Sequence, residues 1–163
     1  METMDIICLD DAGCLYLSPR IDDWEPLDSH GISVVIDLEG DLDAGVPTVP
    51  GHILYIYFPI FDEGLPDMPK LQAVARMGAD LVKSGHKVLS HCGMGFNRSA
   101  LVAGLILVHM GMSGAEAIAH LRRCRPGALF NESGTLTSAE TRQFLQTFME
   151  AFAVWVGRFQ APR

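Results

Sequence analysis

The spacing of apolar positions changes along this chain, and each change predicts an element. Two short apolar runs, Ile6–Leu9 and Cys14–Leu17, flank Asp10-Asp11-Ala12-Gly13, the pattern of a hairpin. Ile21 to His30 predicts a short helix stopped by Gly31. Ile32–Leu38 is β-branched and mostly apolar, as a strand buried on both faces is, and Ile53–Phe58 is a second strand alternating aliphatic and aromatic residues. The stretch between them, Glu39–Gly51, is a proline- and glycine-bearing loop, and a second loop runs from Phe61 to Pro66. Asp67 then stands at a helix N-cap position, and Leu71, Val74, Ala75, Ala79, Leu81 and Val82 recur at helical spacing as far as Gly85. Lys87–His91 reads as a strand, and Arg98–Met110, Ser113–Arg122 and Ser138–Val156 read as helices. Strands with interleaved helices followed by helices alone predict an α/β fold. The expectation is one domain over residues 1–163, core about 14–155, built on a central sheet of four to five strands flanked by helices.

Composition narrows the partners. The chain has 163 residues, 48% of them hydrophobic, and 12 Lys+Arg against 20 Asp+Glu give a net charge of −8. Enough apolar surface is available for a real core, and the acidic balance argues against nucleic acid or an anionic membrane as a partner. Ala100–Met110, the longest apolar run, is about half of the ~20 residues that a bilayer span needs, and the acidic N-terminus lacks the pattern of a signal peptide. Four scattered cysteines without CxxC spacing read as reduced thiols in a cytoplasmic protein, and the six histidines show no zinc-ligand spacing. An anionic ligand would have to be captured locally.

Such a device is present in His91-Cys92-Gly93-Met94-Gly95-Phe96-Asn97-Arg98-Ser99. A cysteine ends a buried strand, five residues intervene, and an arginine opens an apolar helix. Amides of a tight loop at a helix N-terminus point inward and bind a tetrahedral anion. Gly93 and Gly95 allow the loop to curl, Asn97 tolerates a positive φ, and Arg98 can grip two phosphate oxygens in a fork. In that field Cys92 is expected as an accessible, oxidisable thiolate. Taken alone, a strand-end cysteine is more often a small core hydrophobe. The conjunction of strand, glycines, Arg98-Ser99 and helix favours the nucleophile.

HCGMGFNRS resembles the HCxxGxxRS phosphate-binding loop of cysteine-dependent protein phosphatases, in particular the compact dual-specificity branch. Flanking segments are similar as well. They are Leu15–Ser18, Gly31–Leu38 (against the family's gly-ile-thr-x-val-leu-asn-leu strand), Phe58–Asp62 (against its general-acid loop) and Leu121–Ala128 with its Arg-Pro pair. The resemblance implies a dual-specificity phosphatase-like fold and transfer of a phosphoryl group through a phosphocysteine. Cys92 is then the nucleophile, Arg98 and the amides of Gly93, Met94, Gly95, Phe96 and Asn97 hold the phosphate, and Asp62 is the general acid. Glu63 is the nearest competitor of Asp62 for that role. Ser99 hydrogen-bonds the sulfur, and His91 orients the loop. No metal or cofactor is needed, and the substrate is a phosphorylated protein or a small phosphomonoester. Arg122, Arg123 and Arg125 are read as charges complementing a helix C-terminus. The chain departs from the family after Asn131, where the glutamine that positions the hydrolytic water is missing as far as Gln143. Two other classes place a cysteine in an anion-cradling loop: a rhodanese-like sulfurtransferase and a phosphoprotein-binding pseudophosphatase.

Overall fold

A computed structural model describes residues 4–61, 66–95 and 97–129 of the chain. Its elements are β1 (Ile7–Cys8), β2 (Leu15–Ser18), α1 (Glu25–His30), β3 (Val34–Asp37), β4 (Leu54–Tyr57), α2 (Met68–Lys83), β5 (Val88–His91), α3 (Arg98–His109) and α4 (Gly114–Cys124). The strands form one five-stranded sheet in the order β1-β2-β5-β3-β4, parallel except for the antiparallel β1–β2 hairpin. Every residue of β2, β3 and β5 is buried, which accounts for their near-continuous apolar sequence. β4, at the edge, exposes both of its ends.

Helices cover both faces of the sheet. On one side α2, α3 and α4 pack over a core that includes Leu17, Ile36, Leu71, Val102, Leu105 and Leu121. Ten consecutive residues of α3, Ser99 to Val108, are buried, as an apolar helix enclosed by its neighbours must be. On the other side Leu27 of α1 joins Ile21, Ile32, Val35 and Leu89 in a smaller core. Asp67 caps α2 by accepting the Lys70 backbone N–H at 3.1 Å. Ser113 and Glu116 close α4 with a capping box.

Through α4 the predicted order of elements is found, mostly with shorter ends, although β2 runs on to Ser18 and α4 to Cys124. The largest difference is α1, which begins at Glu25 and not at Ile21. Pro26 has no N–H and fits only the first helical turn, so the helix cannot start a full turn earlier. Ile21 is instead buried in irregular chain. The predicted helix at Ser138–Val156 lies outside the described residues, as do the loop residues Asp62–Leu65 and Phe96. Among the described residues no helix is long and apolar enough to cross a membrane.

Candidate active site

β5 is the central strand, and its carboxyl end delivers Cys92 to the N-terminus of α3. The loop between them is held by backbone contacts on two sides: the Arg20 N–H donates to the Gly93 carbonyl at 3.2 Å, and Arg125 Nη2 donates to the Met94 carbonyl at 3.2 Å. Cys92 Sγ accepts the Gly95 N–H at 3.3 Å and lies 3.2 Å from Ser99 Oγ. Ser99 is itself fully buried, and its carbonyl accepts the Ser90 hydroxyl at 3.0 Å. The sulfur is thus flanked by an amide and a hydroxyl at the helix N-terminus, with the Arg98 guanidinium beside the same loop.

Gly95 is required twice over. Its φ is +76°, and an added Cβ would come within 2.9 Å of Pro19 N and 3.0 Å of the Ser18 carbonyl carbon, both backbone atoms. Gly93 leaves little space, since a Cβ there would meet the side-chain tips Glu39 Oε1 at 3.1 Å and Arg98 Nη2 at 3.3 Å, which would have to give way slightly. Asn97 does not use the positive φ expected of it. It is the N-cap of α3, with φ −113°, and Gly95 makes the turn in its place. Cys92 is only 2% exposed, so the accessible thiol read from the sequence is a buried one.

Arg98, the first residue of α3, directs Nη1 toward the carbonyls of Leu38 (3.4 Å) and Ile60 (3.5 Å), at the ends of the β3 and β4 segments. Its guanidinium therefore lies beside the loop at Gly93, where one edge can face a bound oxyanion. His91 is fully buried, with Nε2 at 2.7 Å from Asp43 Oδ2. Of the residues expected at the site, the fold gathers His91, Cys92, Gly93, Met94, Gly95, Asn97, Arg98 and Ser99 around the start of α3. Asp62 and Phe96 lie outside the described residues.

Sequence reasoning missed several neighbours. Arg125 is not only a charge at a helix end: besides the Met94 carbonyl it binds Asp5 at 2.8 Å, tying the phosphate-type loop to the N-terminal segment. The Arg-Pro pair was the available signal. Glu39, Asp43 and Tyr55 carry no motif, and only the fold brings them beside the loop. Asp37, Asp43 and His91 bring donor atoms within 4.8 Å of one another. Those atoms hydrogen-bond within the cluster and to Tyr55, while the other ring nitrogen of His91, Nδ1, is buried without a partner among the described residues.

The geometry agrees with comparison to known proteins. The profile of the dual specificity phosphatase catalytic domain matches residues 15–141. Rat cyclin-dependent kinase inhibitor 3 is 29% identical over 102 residues, which is 61% of this chain and 45% of that protein, so the chain spans about half the length of this curated relative. Human DUSP28 has a similar fold, with a TM-score of 0.67 and 23% identity over 90% of this chain and 93% of that one. Tk-PTP in its active form gives a TM-score of 0.65 and 26% identity over 89% and 96%. A cysteine-arginine loop between a central parallel strand and a buried helix, in a chain matched by that profile over well more than half its length, has one family reading: this chain belongs to the dual-specificity phosphatases, a family of cysteine-based protein phosphatases.

Proposed function

We propose that the chain is an active protein phosphatase that hydrolyses phosphotyrosine and/or phosphoserine and phosphothreonine monoesters through a phosphocysteine intermediate. The observation that carries this reading is Cys92 Sγ held by the Gly95 amide and the Ser99 hydroxyl at the α3 N-terminus, with Arg98 beside the same loop. Cys92 Sγ attacks phosphorus while Arg98 and the loop amides hold the equatorial oxygens, and the S–P bond forms as the ester P–O bond breaks. The Asp62 carboxyl protonates the departing oxygen. Its carboxylate then takes a proton from the water that attacks phosphorus, and Cys92 leaves as a thiolate hydrogen-bonded by Ser99. Asp62 holds this role on its resemblance to the general-acid loop.

The substrate follows from charge. Net charge −8, with Glu39 placed against Gly93, repels a multiply anionic ligand and favours a single phosphate in a neutral or basic setting. The four cysteines are all free thiols, consistent with a reducing cytoplasmic setting.

Hydrolysis of para-nitrophenyl phosphate by the wild type, Cys92→Ser and Asp62→Asn tests the assignments. Wild-type turnover, abolished in Cys92→Ser and slowed in Asp62→Asn, with phosphate trapped on Cys92 by denaturation, supports the reading. A pseudophosphatase would bind phosphopeptide with no turnover. A sulfurtransferase would move sulfane sulfur from thiosulfate to cyanide and leave the phosphate ester intact.

A further inference from the structure

On the α1 face of the sheet, at the carboxyl ends of the strands, four polar side chains gather, the carboxyls and imidazole buried and Tyr55 half-buried. Asp37 and His91 are neighbours in the β3–β5 register, and both are fully buried. Tyr55 projects from the same face of β4, two residues before Tyr57, the register partner of Asp37. Asp43 closes the group from the β3–β4 loop, its side chain 3% exposed. His91 Nε2 lies 2.7 Å from Asp43 Oδ2 and 3.5 Å from Asp37 Oδ1. The Tyr55 hydroxyl meets both Asp37 Oδ2 and Asp43 Oδ2, the latter at 2.9 Å, and its oxygen accepts the Asp43 N–H at 3.1 Å. Asp37 Oδ1 accepts the Glu39 N–H at 2.9 Å.

Proton counting constrains this arrangement. A phenol has one proton to donate, yet the Tyr55 oxygen touches two carboxyl oxygens. With both acids ionised, one contact would press two bare oxygens together in a buried site, at a large cost. One additional proton turns every contact into a hydrogen bond. Asp43 Oδ2 also faces His91 Nε2–H, so the negative charge belongs on Asp43 and the added proton on Asp37. We propose that Asp37 is a neutral carboxylic acid during catalysis, and that the relay from the Asp37 O–H to the Tyr55 oxygen, from the Tyr55 O–H to the Asp43 carboxylate, and from His91 Nε2–H to the same carboxylate positions the phosphate loop. Asp37, Tyr55 and Asp43 are positioning residues that act through His91, the residue immediately before Cys92.

The environment of Asp37 agrees with this assignment. Burial is the strongest influence and raises its pKa from the ordinary carboxylate value; the bonds from Tyr55 and the Glu39 amide and the charge of His91 oppose it, while Asp43 adds to it. Tyr57 and Asp41 are further ionisable groups at this end of the sheet, beside Glu39 and Arg98, and the Tyr57 pKa is raised by burial and then by Asp37 and Asp41. The relay also reaches the site from a second direction. Asp43 belongs to the loop that carries Glu39 to Gly93, and Trp24 Nε1 pins that loop by donating to the Ala44 carbonyl at 2.8 Å.

The catalytic part of this proposal rests on the phosphatase reading, and the protonation of Asp37 does not. An infrared difference spectrum of wild type against Asp37→Asn at near-neutral pH should contain a protonated-carboxyl C=O band that shifts on deuteration. Asp37→Asn, whose amide can donate as the acid does, should rescue most of the kcat/KM that Asp37→Leu loses. Tyr55→Phe and Asp43→Asn should lower kcat/KM by about tenfold to a hundredfold, the loss expected when buried hydrogen bonds at a site go unmade. Absence of the band, or an Asp37→Asn variant as impaired as Asp37→Leu, would overturn the relay. If the wild type has no phosphatase activity, the function proposed above fails while the infrared band still decides the protonation of Asp37.

Discussion

Gly95→Ala probes the loop at its tightest point. The substitution carries two separable costs. The first is conformational: a non-glycine residue in the left-handed region costs about 1–2 kcal/mol. The second is steric, because the new Cβ would sit 2.9 Å from Pro19 N and 3.0 Å from the Ser18 carbonyl carbon, and backbone cannot swing aside as a side-chain tip does. Overpacking of this kind adds about 1–3 kcal/mol. Gly85 supplies the control, since its φ is +88° and nothing lies within 4 Å of its Cβ position. Gly85→Ala should therefore show only the conformational cost, with kcat/KM unchanged. Gly95→Ala should lose about 2–5 kcal/mol in urea unfolding. It should also lose about a hundredfold in kcat/KM, because relief of the clash moves the Gly95 amide away from Cys92 Sγ. Equal stability losses in the two variants, together with wild-type turnover in Gly95→Ala, would refute the close approach of the loop to the β2–α1 connection.

Further outcomes follow from other contacts. Arg125→Lys should behave like Arg125→Gln and lower kcat/KM several-fold, because one ammonium cannot reproduce the fork that binds Asp5 and the Met94 carbonyl; steady-state kinetics beside Asp5→Asn would show whether the Met94 contact dominates. Asp67→Ala should cost about 1 kcal/mol in unfolding and leave kcat untouched, since the cap stabilises the N-terminus of α2 without touching Cys92. His109 is depressed below 6.5 by burial first and then by Arg76 and Lys83, with Asp80 opposing them. Because its folded value is the lower one, the stability it contributes is present above 6.5 and lost as pH falls through the folded value. Melting temperatures across that range should fall less steeply in His109→Gln than in wild type. Asp37 has the opposite sign: its raised value favours the fold at low pH, and that contribution is lost as pH rises through the folded value, a slope that Asp37→Asn should remove.

The parts of the molecule legible in sequence are those where local pattern and tertiary environment agree. Val34-Val35-Ile36 could only be a buried strand, Asp67 before a helical stripe could only be a cap, and Cys92 with Arg98-Ser99 marks the turn from strand to helix. The parts that were not legible depend on contacts between distant segments. Asp43 lies in a loop that reads as solvated chain, and it is buried because His91, 48 residues later, reaches it across the β3–β5 register. Asp37 reads as a polar interruption at the end of an apolar strand and is fully buried for the same reason. Glu39 approaches Gly93 only because β3 and β5 are adjacent, and no spacing in the chain encodes that adjacency.

The placement of β5 between β2 and β3 also orders the opening of the molecule. Its amides are bonded within the sheet on both sides, so Val88–His91 should exchange with deuterium only when the whole domain unfolds. The two-residue edge strand β1 should exchange far sooner. The strand pairs that close the site, Leu15–Ser18 with Val88–His91 and Val34–Asp37 with Val88–His91, join segments widely separated in sequence. Such non-local pairing slows folding and comes late. A nascent chain therefore carries Cys92 as an ordinary thiol in an unformed loop. The amide and hydroxyl that meet its sulfur come together only once β5 has taken its place between two parallel neighbours.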